Sequence, residues 1–158
     1  MIIGGIDPSG TTGHGLAVWC TDRGLLWWGQ KWPAGTQLDF AIVEGPWSRQ
    51  NKMGKLQMWG LGFDASWRLC EAPAARKFVQ RPDEWRAEWG PVLVGKPKSV
   101  IVKRLRRDLD IVPTDAAIDS PRRGTDDEVE AAGIAGAWAR RLARAGTKGL
   151  RRGCEVKR

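Results

Sequence analysis

Ile2-Ile3-Gly4-Gly5-Ile6-Asp7-Pro8-Ser9-Gly10-Thr11-Thr12-Gly13 is the stretch that decides the fold. An apolar strand runs as far as the Asp7 carboxylate, and Pro8 and the Gly/Thr residues after it force a tight turn. A carboxylate at the end of a buried strand is costly unless something cationic meets it. The pattern recurs in Phe40-Ala41-Ile42-Val43-Glu44, a short, wholly apolar run ending in an acid, as expected in the middle of a sheet. Residues 15–20 and 25–32, joined at Asp22-Arg23-Gly24, read as strands that form an antiparallel meander with the first. Residues 76–80 read as a fifth strand.

The helices follow from spacing and caps. Leu56, Trp59, Phe63 and Trp67 recur at helical intervals up to about residue 71, and they are either core or a dimer surface. Pro82 starts a short helix over 83–89. Residues 96–107 form a strongly basic helical stretch, and 111–124 reads as a loop. Thr125 caps a last helix running to about residue 145, whose acidic first turn suits the positive end of its dipole. Asp127 and Glu130 lie three apart, on one face of that helix. Asp126 competes with Asp127 for the inward position, and the plainer reading is that these are only helix N-terminal acids.

Length and composition narrow the chemistry. The 158 residues make one domain, 1–147, followed by a basic tail, 148–158. The net charge is +8, which favours a polyanionic partner, nucleic acid first. Cys20, Cys70 and Cys154 are odd in number and widely spaced, and His14 is the lone histidine, which argues against a zinc site or a disulfide framework. A metal here must be held by oxygen, which favours Mg²⁺, with Mn²⁺ able to substitute. No transmembrane run or signal peptide is seen, so a cytoplasmic protein with no membrane partner is expected. Ten tryptophans and no tyrosine predict Trp-rich packing, with an exposed Trp able to stack on a base.

Gly5-Ile6-Asp7-Pro8-Ser9-Gly10-Thr11-Thr12-Gly13-His14-Gly15, then Ala41-Ile42-Val43-Glu44-Gly45-Pro46-Trp47, then Asp126-Asp127-Glu128-Val129-Glu130-Ala131-Ala132-Gly133-Ile134-Ala135, together resemble the RuvC-type Holliday junction resolvases of the RNase H-like superfamily. The resemblance covers most of residues 2–140, and its short span suggests a compact, phage-encoded member. It implies an α/β, RNase H-like fold: a five-stranded mixed β-sheet flanked by α-helices. It also implies a homodimer that nicks two strands of a four-way DNA junction symmetrically, in DNA recombination and repair, leaving 5′-phosphates. Asp7, Glu44, Asp127 and Glu130 match the family's metal-binding catalytic acids. Trp47 matches an aromatic that stacks on junction bases, and residues 79–86 are similar to a Pro-x-x-Trp-basic stretch of phage-type members. The family links its third and fourth strands by a helix, whereas here only residues 33–39 are available, so either the third strand ends early or a bare loop crosses.

Basic residues supply the expected DNA contacts: Arg49, Lys52 and Lys55 beside Trp47, and Lys98, Lys103, Arg104 and Arg107 in the basic helix. Solvated helix faces are the plainer reading of those charges. His14 falls in the turn into the second strand and is not expected to be catalytic. Three rivals stand beside the resolvase. The first phosphate loop of actin-like and sugar-kinase ATP-binding proteins resembles residues 5–13, but those proteins need two such domains. An RNase H-like nuclease acting on RNA or other branched DNA, and a non-catalytic nucleic-acid-binding module, are the other two.

Overall fold

The computed structural model describes residues 1–8, 14–45, 55–114 and 122–146. Five strands, β1 (Ile2–Asp7), β2 (Gly15–Cys20), β3 (Gly24–Gly29), β4 (Leu38–Glu44) and β5 (Ala74–Gln80), form one sheet in the order β3-β2-β1-β4-β5. β1, β2 and β3 pair antiparallel, and β1, β4 and β5 pair parallel, so the sheet is mixed. The helices are α1 (Lys55–Glu71), α2 (Pro82–Trp89), α3 (Lys98–Leu109) and α4 (Asp126–Gly146). Two short parallel strands, β6 (Val112–Pro113) and β7 (Arg123–Gly124), interrupt the segment expected to be a loop.

Alternate residues of each strand leave opposite faces, and each face has its own core. On one face Ile3, Ala17, Phe40 and Ile42 pack against Trp85 and Trp89 of α2, Ile101 and Leu105 of α3, and Val129 and Ile134 of α4. On the other, Ile6, Leu16, Val18, Ala41 and Val43 pack against Ala65 of α1 and Ala72 after it. Two tryptophans packed in or against the first of these cores place their indole N–H groups on backbone carbonyls. The Trp89 indole donates to the Gly133 carbonyl at 2.7 Å, and the Trp28 indole to the Arg123 carbonyl at 2.8 Å. No helix among the described residues is long and apolar enough to cross a membrane.

The third strand ends at Gly29 rather than at residue 32. Residues 30–37 leave the sheet as a bare loop and travel back to the start of β4, with a turn in which the Thr36 N–H donates to the Pro33 carbonyl at 3.1 Å. Trp32 is drawn out of the strand because its ring packs against the core of the α1 face. That burial replaces the helix that a parallel crossover usually requires.

Glycine sets how closely α4 lies on the sheet. A Cβ at Gly15 would sit 1.9 Å from the Asp127 carbonyl oxygen, and one at Gly5 would sit 2.0 Å from the Ala131 carbonyl oxygen. Both obstacles are backbone, so a side chain can be accommodated only by moving the helix. Gly15→Ala should therefore cost about 3 kcal/mol, the upper range for overpacking, and lower the melting temperature by roughly 6–12 °C. A thermal melt checks this, and an unchanged melting temperature would show that α4 does not rest on β2 as described.

Candidate metal centre

The carboxylates are brought together by register and by helix phase. β1 and β4 run parallel with Ile6 opposite Val43, so Asp7 and Glu44 end adjacent strands side by side. Asp7 is also paired with Gly15, the residue on which the first turn of α4 rests. The phase of that turn is fixed by a reciprocal cap: the Thr125 hydroxyl accepts from the Glu128 N–H at 3.3 Å, and the Glu128 carboxylate accepts from the Thr125 N–H at 2.8 Å. Glu128 is thereby committed to the cap, while Asp127 and Glu130 face Asp7.

One oxygen each of Asp7, Asp127 and Glu130 lies within 4.8 Å of the others, close enough to hold one metal ion. Asp126 turns away and pairs with Arg106 at 2.8 Å. Glu44 stands beside this trio rather than in it, with its Oε2 accepting from the Trp85 indole at 2.5 Å.

A cation of the chain itself sits among the acids. The Lys98 ammonium is 2.6 Å from Glu130, 2.7 Å from Asp127 and 3.7 Å from Asp7. Arg86 approaches the other Glu130 oxygen at 3.5 Å. Lys98 is the first residue of α3 and shares the face of Ile101, Val102 and Leu105, which are buried, so its side chain is directed inward. Asp7 is still poorly matched: its Oδ2 is buried without a hydrogen bond. An oxygen-only set of three clustered acids, one with a buried oxygen that accepts no hydrogen bond, fits a hard divalent cation.

The electrostatics agree with that reading. Burial, followed by the charges of Glu130 and Glu44, pushes the Asp7 carboxyl well above the usual range. Burial, and after it Glu130, raises Glu44 to about 7. Burial alone would lower Lys98, but Glu130 and Asp7 outweigh it and hold the ammonium firmly protonated. Without a divalent cation, Glu44 therefore keeps its proton in the fold to about pH 7, whereas an unfolded chain loses it near 4.5. The native state binds more protons across that window, so stability falls as pH rises from about 4.5 to about 7, and Asp7 adds to the fall with the same sign. The Glu44 part is worth roughly 3 kcal/mol at most. Denaturant melts in EDTA at the two ends of the window should show the fall, and Glu44→Gln should reduce it to the part that Asp7 contributes; stability that climbs instead would contradict these environments.

The expected DNA contacts are placed as follows. Lys103, Arg104 and Arg107 lie on the outer part of α3, with Arg104 and Arg107 sharing Asp108 at 2.6 and 3.2 Å. Trp47, Arg49 and Lys52 lie outside the described residues, as does the side chain of Lys55, the first residue of α1. His14 lines a depression with Gln30, Lys31, Trp32 and Arg68, beside the α1 face. Trp85 and Arg86, which reach Glu44 and Glu130, carried no role in the sequence reading. Their only signal was the Pro-Asp-Glu-Trp-Arg run after Arg81, which places Trp85 and Arg86 in the first turns of α2.

No protein-family model matches the sequence, and no curated protein matches it. Solved structures do. The Thermus thermophilus RuvC structure superposes with a TM-score of 0.53 at 17% identity, covering 93% of this chain and 98% of that one. The fold is RuvC-like. T. thermophilus RuvC in complex with Holliday junction substrate gives a TM-score of 0.54 at 16% identity, covering 93% and 97% of the two chains. The RuvC likeness thus spans nearly the whole of both molecules, and it places this α/β sheet with its flanking helices among RNase H-like folds.

Proposed function

We propose that the chain is a metal-dependent endonuclease that resolves four-way DNA junctions by paired symmetric nicks. The observation that carries this reading is the convergence of Asp7, Asp127 and Glu130, with Glu44 alongside, at the ends of parallel strands in a chain of net charge +8. The junction as substrate is supported by the likeness to a RuvC that was solved with Holliday junction substrate.

Asp7, Asp127 and Glu130 would hold one divalent ion, Mg²⁺ or Mn²⁺, and Asp7 with Glu44 a second. Ions bound there supply an activated water and stabilisation of the leaving 3′-oxygen. Asp7 would serve both sites, because it ends β1 beside Glu44 on β4 and also lies with Asp127 and Glu130 of α4. Trp85 fixes the Glu44 carboxylate through its indole N–H. Lys98 neutralises the acids in the ion-free protein and, once released from them, pairs with the phosphate of the strand being cut. Lys103, Arg104 and Arg107, with Arg49, Lys52 and Lys55, hold the flanking backbone, and Trp47 stacks on a junction base.

Two symmetric nicks suit a two-fold dimer. The surface for it is α1, where Trp59, Phe63 and Trp67 are 79%, 74% and 56% exposed in one stripe. Large aromatics in such a row mark an interface rather than ordinary surface. The deciding experiment offers labelled four-way junction, linear duplex and RNA–DNA hybrid with and without Mg²⁺. Paired symmetric nicks confined to the junction are expected. Cleavage of the hybrid alone would replace this reading with an RNA-directed nuclease, and tight binding without cleavage would replace it with a binding module.

A further inference from the structure

Gln80 ends β5 and is 1% exposed, yet neither Nε2 nor Oε1 of its side chain has a hydrogen-bond partner among the described residues. Buried amides are nearly always satisfied, because leaving one unpaired is unfavourable. A Met would fill a similar volume without that penalty. A glutamine in that place therefore points to a partner acquired in another state.

Its position identifies the partner. β4 and β5 are parallel, and Glu44 is in register with Gln80, so the two side chains leave the same face next to one another. Asp7, Glu44 and Gln80 thus form a row across the ends of three adjacent parallel strands. Glu44 is bound to the Trp85 indole and stands outside the trio of Asp7, Asp127 and Glu130. Trp85 holds one Glu44 oxygen, and a carboxylate that also faces a cation beside Asp7 still has lone pairs to offer a donor on the β5 side. Arg86 or Lys98 would serve badly there, since a cationic donor cancels the charge that the ion requires. A neutral amide holds the carboxylate and leaves its charge available.

We infer that Gln80 is a positioning residue for Glu44, with its amide N–H donating to the Glu44 carboxylate when that group engages a divalent cation. The inference rests on the metal-dependent reading above. Carboxylates that bind metals are themselves hydrogen-bonded, and loss of such a partner weakens metal affinity by about 10–100-fold.

The test is Mn²⁺ binding by the full chain, read by electron paramagnetic resonance, together with thermal melts in EDTA, for the wild type, Gln80→Met, Glu44→Gln and the double variant. Gln80→Met should melt roughly 3 °C or more higher than the wild type without metal, and should bind Mn²⁺ at least about tenfold more weakly. In the Glu44→Gln background the same substitution should cause no further loss of affinity, because Gln80 acts through Glu44. Unchanged Mn²⁺ affinity in Gln80→Met would overturn the inference, as would an equal loss in the Glu44→Gln background. A Gln80→Met protein that melts lower, or does not fold, would overturn it too, since the amide would then be satisfied in the native state. A wild type that binds no Mn²⁺ would instead remove the metal-dependent reading on which the inference stands.

Discussion

Asp7→Asn should lower junction cleavage by roughly a thousandfold, about 4 kcal/mol of transition-state stabilisation, while junction binding stays within about twofold. Asp7 adjoins both the other members of the trio and Glu44, and its Oδ2 is buried with no hydrogen bond, 3.7 Å from the Lys98 ammonium. An amide keeps the shape but removes the charge on which an ion depends. Binding should survive, because the phosphate contacts proposed above are basic residues elsewhere and a carboxylate only repels phosphates. The variant should also melt higher than the wild type in EDTA. Burial and the neighbouring Glu130 and Glu44 oppose an ionised Asp7, and Asn relieves that opposition. Gel-shift and cleavage assays on one junction, with a melt, separate these effects. Loss of binding together with cleavage would make Asp7 a structural residue.

Lys98→Met should act in the opposite direction on stability and on metal affinity. The ammonium is the nearest cation to Asp127 and Glu130, so its removal leaves buried like charges facing one another. Breaking a fully buried pair costs about 3–5 kcal/mol. Lys98 is 49% exposed, so solvent screens part of the interaction, and about 2 kcal/mol is the better figure. The melting temperature in EDTA should therefore drop by roughly 4–8 °C. Mn²⁺ should restore it, and should bind about tenfold more tightly than to the wild type, because no ammonium has to be displaced first. Cleavage should nevertheless fall, since the phosphate contact proposed for Lys98 is removed. Weaker Mn²⁺ binding by Lys98→Met would mean that the lysine supports the metal site rather than competing for it.

The strand-terminal acids were legible because an apolar run ending in Asp or Glu has few alternatives, and Asp7 and Glu44 both follow that pattern. The choice between Asp126 and Asp127 was not, because both occupy the first turn of α4. The Thr125–Glu128 cap and the glycine contact under Asp127 set the phase, and these are facts of packing. Lys98 looked like one more phosphate contact in a basic helix. Its spacing to Ile101, Val102 and Leu105 turns it inward, toward charges that come from other parts of the chain. The aromatic stripe of α1 could be read as core or as interface, and it proves exposed. The crossover between β3 and β4 defied local propensity because the anchor of that loop, Trp32, is held by tertiary contacts alone.

Crystals of the full chain soaked in Mn²⁺ and measured at the manganese absorption edge test the central claim most directly. An anomalous peak should appear among the Asp7, Asp127 and Glu130 oxygens, with the Lys98 ammonium moved out of that space. Saturating Mn²⁺ with no peak there, and Lys98 still seated on Glu130, would contradict it.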